Sequence, residues 1–126
     1  MHVSELVKQH FATPQNIGTL EIDDNVGSAR VGSTARGTVL HLQIHLSGQT
    51  LIDKVRLKVH GCGYTIACAS YVSEWLEGKS LDDAKQLSSH DIARTLELPE
   101  VKRHCALLAE DAVKAAIIDY EEKHHD

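Results

Sequence analysis

Aromatic residues are scarce. Phe, Tyr and Trp together make up 4% of 126 residues, so any core must be built from aliphatic side chains and alanine. Two prolines and eight glycines provide no Pro- or Gly-rich linker, and no internal repeat divides the chain. Residues 1–126 read as one domain, long enough to bury roughly two-thirds of its unfolded surface without covalent staples. Three cysteines cannot all pair and are too few for a disulfide-built secreted scaffold. No apolar run approaches the roughly 18 residues of a membrane span, and Met1 to His10 lacks the apolar stretch of a signal peptide. The expected compartment is the reducing cytoplasm, with no membrane association. Basic residues are not in excess either: the net charge is −5, which argues against a grip on nucleic-acid phosphates.

Several familiar chemistries are also missing. There is no Gly-x-x-x-x-Gly-Lys phosphate loop, no Cys-x-x-Cys pair, no His-Glu-x-x-His and no Gly-x-Ser-x-Gly elbow. A thiol hydrolase built from Cys62 and His104 would lack any recognisable orienting Asn or Asp. What remains is one thiol in the middle of the chain and a His-Cys pair late in it.

Periodicity supplies the layout. Ser4 to Phe11 reads as a short helix resting on Leu6, Val7 and Phe11, stopped by Pro14 and Gly18. Thr13 to Asp24 reads as an irregular connection, and Asn25 to Ser33 as a first strand weakened by Gly27 and Gly32. Leu40, Leu42, Ile44 and Leu46 alternate with His41, Gln43 and His45. After a turn at Ser47 to Thr50, Val55, Leu57 and Val59 alternate with Arg56, Lys58 and His60. Two such runs across a short Gly-containing loop predict an antiparallel hairpin with one buried and one polar face. The period then changes. Tyr64 to Glu77 reads as a helix ended by Gly78. Ser80 to Leu87 opens with the capping signature Ser-x-x-Asp, and Ser89 to Leu96 is another short helix. A long last helix is expected from Glu100 to Glu122, with Cys105, Leu108, Ala109, Ala112, Val113, Ala116 and Tyr120 on one stripe. His124 and His125 fall in a charged tail expected to fray. Strands first and helices afterwards give an α+β fold with helices packed on one face of a small antiparallel sheet.

The richest segment for chemistry is Gly61-Cys62-Gly63, between a strand and a helix. A thiol there meets orphan N–H groups and the positive end of the helix dipole, and both favour the thiolate. His104-Cys105 is the second candidate. Taken alone, it fits either a converging donor pair at a helix start or a core cysteine beside a surface histidine. Cys68, inside a helix with Ile66 and Val72, reads as core filler. His41, His45 and His60 read as solvated strand positions, because no Cys, Asp or Glu accompanies them at ligand spacing. Soft thiols with imidazole suit zinc or iron–sulfur clusters.

These segments resemble the IscU/NifU-type scaffold proteins of iron–sulfur cluster assembly over nearly the whole chain. The resemblance rests on Asn25-Val26-Gly27-Ser28, Gly61-Cys62-Gly63, Ser73-Glu74-Trp75, Gly78-Lys79-Ser80-Leu81, Leu96-Glu97-Leu98-Pro99, and His104-Cys105 leading into Leu108-Ala109-Glu110-Asp111-Ala112. It implies a three-stranded antiparallel sheet with helices packed on one face and a long C-terminal helix. It implies Cys62, His104 and Cys105 as ligands of iron or a [2Fe–2S] cluster, and Cys105 and Cys62 as acceptors of sulfur from a cysteine desulfurase. A chaperone and co-chaperone are implied partners. The implied role involves no turnover of its own, so the chain is not expected to be an enzyme. The chaperone motif stands here as Leu98-Pro99-Glu100-Val101-Lys102, with a glutamate in place of the second proline, so Leu98, Pro99, Val101 and Lys102 remain as its contacts. The chain is expected to be a monomer or weak homodimer.

One departure is larger. Where the family pattern reads Cys-Gly-Asp, this chain reads Arg36-Gly37-Thr38. A thiol ligand has become a guanidinium, which cannot ligate iron, and an aspartate has become Thr38. Three readings follow: a scaffold or carrier with a reduced ligand set, a docking homologue that carries no cluster, and a zinc-binding form of the same site. Under the first, a fourth ligand could come from Cys68, an external thiol such as glutathione, or a second subunit.

Overall fold

The computed structural model of the chain describes residues 3–124. Helix α1 (Glu5–Ala12) is followed by strand β1 (Val26–Ser33), a single 3-10 turn (Thr34–Arg36), β2 (Thr38–Ser47) and β3 (Leu51–His60). Then come α2 (Gly63–Leu76), α3 (Leu81–Ala84), α4 (Ser89–Thr95), a second 3-10 turn (Glu100–Lys102) and α5 (Arg103–Lys123). The strands form one antiparallel sheet in the order β1-β2-β3. Leu42 of β2 stands opposite Ala29 of β1 and Leu57 of β3. That register gathers Leu40, Leu42, Ile44, Val55 and Leu57 on the inner face, all buried. Helix α5 packs on β1 and β2, and α2 on β3. The approach of α5 is close: a Cβ on Gly27 would stand 2.2 Å from the Ala116 carbonyl oxygen.

The α+β layout and the long last helix agree with the sequence reading; five details differ. Gln43, expected on the wet face, is buried because the Thr13–Asp24 connection crosses that face and Leu20 takes its amide, with the Leu20 N–H donating to Gln43 Oε1 at 2.7 Å. In α1 the buried residues are Val7 and His10, while Phe11 is about half exposed. His10 is tolerated inside because its Nδ1 lies 2.7 Å from Ser70 Oγ. The expected helix over Ser80 to Leu87 is only the single turn of α3, although Ser80 does accept from the Asp83 N–H. The last helix begins at Arg103 after the 3-10 turn, because Pro99 holds an extended backbone that α-helix cannot follow at once. His124 is not frayed. Its ring packs on Tyr120, with centroids 4.3 Å apart, and its Nε2 reaches the Asp24 carbonyl. His125 lies outside the described residues.

Helix α4 ends in a double-bonded cap. The Glu97 N–H donates to the Arg94 carbonyl and the Leu98 N–H to the Ala93 carbonyl. Glu97 therefore occupies the left-handed region, φ 51°, where glycine is the usual choice. This cap turns Leu98 into the core and aims the following turn at the start of α5.

Candidate functional site

The β3–α2 loop and the start of α5 meet at one end of the sheet. Cys62 is the N-cap of α2, in extended conformation, with its side chain exposed. The flanking glycines matter for space, since neither has a positive φ. A Cβ on Gly61 would press on Thr65 at 3.1 Å, and one on Gly63 on the Phe11 ring at 3.3 Å.

Thr65, on the first turn of α2, is buried between the two sulfurs. Its Oγ1 lies 3.4 Å from Cys62 Sγ and donates to Cys105 Sγ at 3.4 Å. Lys102 Nζ stands 4.0 Å from Cys62 Sγ and 5.7 Å from the centre of the Tyr64 ring. His104 is exposed, with Nε2 3.7 Å from Cys105 Sγ.

The thiols differ in acidity. Partial burial pushes Cys62 up, but the Thr65 hydroxyl, the N–H groups of Thr65 and Tyr64 and the Cys105 thiol outweigh it. The net result is a pKa lowered to about 7. Burial raises Cys105 above the ordinary thiol value. The Thr65 hydroxyl works against this, while negative charge on Cys62 adds to it. Cys68 is driven well above the usual range by burial, as core filler should be. The helix-start expectation therefore holds for Cys62. For Cys105, on the first turn of α5, desolvation overrides it.

Arg36 and Thr38 do face His104. Together with Gly32, Leu108 and Asp111 they line an open groove of about 510 Å³. His41 lies on the outer sheet face, its Nε2 2.9 Å from Ser28 Oγ, and His45 Nδ1 is 2.5 Å from Asp53 Oδ1. His60 is exposed. None of these three joins Cys62 and Cys105. Of the candidate chaperone contacts, Leu98 is buried, Pro99 and Lys102 are half-buried, and Val101 is exposed. Among the described residues, no three His, Cys, Asp or Glu side chains are already gathered to hold a metal ion. In kind, however, two thiols and an imidazole suit iron or zinc.

Sequence reasoning missed Thr65 and the place of Lys102 beside a thiol. A signal for Thr65 was present: it sits three residues after the N-cap, the spacing at which first-turn side chains fold back on a cap.

Comparison with known proteins identifies the family. The family described as the NifU-like N terminal domain matches residues 2–126. The iron–sulfur cluster assembly scaffold protein IscU of Escherichia coli strain K12 is 50% identical over 124 residues, 98% of this chain and 97% of that protein. The protein of the same name from Haemophilus influenzae is 47% identical, over 98% of each chain. In fold, the chain is similar to the crystal structure of the N-terminal part of a nitrogen-fixing NifU-like protein from Brucella abortus. The TM-score is 0.70 at 19% identity, over 95% of this chain and 94% of the other. Among the described residues no helix is long and apolar enough to cross a membrane. A match along nearly the whole sequence, with near half-identity to curated relatives, places this chain in the NifU-like N-terminal domain family.

Proposed function

We propose that this chain is an iron–sulfur cluster assembly scaffold that works with a ligand set reduced to Cys62, Cys105 and His104. The observation that carries this reading is the pair of thiols joined through the Thr65 hydroxyl, with an imidazole 3.7 Å from the second sulfur. The 50% identity to the E. coli scaffold supports it. Such a chain holds and passes on its cargo and turns over no substrate of its own.

Sulfur arrives first at Cys62. This thiol is exposed, is about half thiolate at neutral pH, and has Lys102 beside it to balance the charge. The thiolate attacks the outer sulfur of a persulfide on a cysteine desulfurase. One S–S bond forms, the donor's S–S bond breaks, and the donor leaves as a thiolate, so no external oxidant is needed. Cys105, across Thr65, is the second acceptor. Iron as cargo is held by Cys62, Cys105 and His104, drawn together on binding, and a [2Fe–2S] unit needs a fourth ligand from outside this set. Handover engages a chaperone and co-chaperone through Pro99, Val101 and Lys102, and through Leu98 once the segment opens. The reducing cytoplasm suits three free thiols.

Anaerobic purification followed by iron and acid-labile sulfide analysis tests this reading, with mass mapping after exposure to a cysteine-charged desulfurase. Iron and sulfide in similar amounts, with sulfur added at Cys62 or Cys105, are expected. Zinc alone would favour the zinc-binding form. No metal, and no added sulfur on a chain that still binds the desulfurase, would favour a docking homologue.

A further inference from the structure

The groove beside His104 carries opposite charges that do not pair. Helix α5 supplies Asp111 and His104 to its lining, and the turn between β1 and β2 supplies Arg36. Both charged side chains are exposed. Among the described residues, Arg36 and Asp111 form no ion pair, with each other or with a third group. Lys114, the next cation along α5, is held by Glu110 at 2.8 Å.

The backbone fixes where these groups stand. Arg36 ends the 3-10 turn, and Gly37 follows in the left-handed region at φ 72°, its N–H donating to the Thr34 carbonyl at 3.0 Å. His104, Leu107, Leu108 and Asp111 lie at i, i+3, i+4 and i+7 of α5 and so form one stripe along it. Seven residues of helix carry that stripe about 10.5 Å from His104 to Asp111.

An occupant must suit both signs. A bare anion is repelled by Asp111 and a bare metal cation by Arg36. A molecule with a carboxylate and an ammonium satisfies both. Leu107, about half exposed, and Leu108, half-buried, offer apolar surface to methylene groups lying between the two ends of the stripe. Length narrows the choice. One amino acid spans about 3.5 Å, a third of the stripe, whereas three span roughly 10 Å. The volume of about 510 Å³ also suits a ligand larger than a single amino acid.

We infer that this groove binds a small zwitterionic peptide thiol of the γ-glutamyl-cysteinyl-glycine type, with carboxylate on Arg36, ammonium on Asp111 and sulfur toward His104. The thiol rests on the proposed scaffold function, in which Cys62, Cys105 and His104 leave one ligand to come from outside. The charge recognition does not rest on it and needs no metal.

The probe is S-methylglutathione, which can neither form a disulfide nor bind iron as a thiolate. It is titrated into the metal-free, isotope-labelled full chain and followed by NMR. Amide shifts at Arg36, Thr38, Leu108 and Asp111 are expected, with a nuclear Overhauser contact from the S-methyl group to the His104 ring. Arg36→Gln and Asp111→Asn should each weaken binding about tenfold. N-acetylation of the probe should weaken its binding to the parent as much as Asp111→Asn does, and cost that variant little more. S-methylcysteine should bind about tenfold more weakly, having no γ-glutamyl methylenes to lie on the two leucines. Lys85→Gln, outside the groove, should bind as the parent does. Circular dichroism checks the fold of each variant, and the N-acetylated probe reads the ammonium contact on the parent chain if Asp111→Asn unfolds. Shifts that map elsewhere, or undiminished binding by both groove variants, would overturn the inference. So would tighter binding of S-methylcysteine or of inorganic phosphate at the same residues, or an S-methyl contact away from His104. No iron takes part, so failure here leaves the reading of Cys62, Cys105 and His104 standing, and loss of iron binding leaves the charge recognition standing.

Discussion

Thr65 donates its hydroxyl proton to Cys105 Sγ across 3.4 Å, joining the first turn of α2 to the first turn of α5 forty residues later. The same oxygen lies 3.4 Å from Cys62 Sγ, and turned that way the hydroxyl donates its one proton to the Cys62 thiolate instead. Thr65→Val keeps the shape and removes the hydroxyl. The Cys62 pKa should then rise from about 7 toward the ordinary thiol value. A raised thiol pKa leaves less thiolate at neutral pH, so alkylation of Cys62 by iodoacetamide at pH 7 should slow about three- to tenfold. An unchanged pH–rate curve would remove Thr65 from the account. In the parent chain the expected order of alkylation is Cys62, then Cys105, then Cys68.

Metal loading separates ligands from bystanders. Cys62→Ser and Cys105→Ser should each cut iron retained after anaerobic reconstitution by about tenfold, because thiolates supply most of the affinity. His41→Ala and His45→Ala should retain parental iron, since Ser28 and Asp53 hold those rings on the outer face. Iron measured on desalted protein decides between these outcomes, and equal loading of Cys62→Ser and the parent would refute the ligand assignment.

Residue 36 offers a gain-of-function test. Arg36 borders the groove that His104 also lines. Arg36→Cys replaces a cation with a potential thiolate there, and visible absorbance after reconstitution with iron and sulfide should decay several-fold more slowly. Decay at the parental rate would show that position 36 cannot reach the bound cargo.

The cap of α4 carries a side chain in a conformation that disfavours one. Glu97→Gly at φ 51° relieves the crowding of Cβ against backbone and should raise stability by about 0.5–1 kcal/mol. A urea midpoint that moves up with an unchanged slope is the expected signature. A fall would mean that the Glu97 side chain contributes more than its conformation costs.

Much of this was legible in the chain itself. The alternation from Leu40 to Leu46 against Val55 to Val59 specified the hairpin, since strand period and burial are linked locally. Cys62 was legible because its neighbours in sequence, two glycines and a helix start, create its environment. Cys105 was harder to read: its first-turn position argues for an acidic thiol, while its burial depends on α2 and the sheet, which are distant in sequence. Gln43 was misread for the same reason. Its strand neighbours mark it as solvated, and only a loop some twenty residues upstream covers it. Arg36 could be flagged as a departure, yet its sharing of a groove with His104 follows from the packing of α5 beside β1.

The connection that buries Gln43 has a second effect, on how copies of the chain can meet. Along β3 the Leu57 N–H donates to the Asn16 carbonyl, and the Gly18 N–H donates to the Leu57 carbonyl. Further along the same strand, Ile52 exchanges bonds with Gly78 and Lys79. Backbone groups that would template strand addition at this edge are thus already occupied, which blunts edge-to-edge growth into fibrils. With Cys62 exposed two residues beyond the end of β3, the chain can then meet other molecules on this side by side-chain recognition, without adding a strand at the β3 edge.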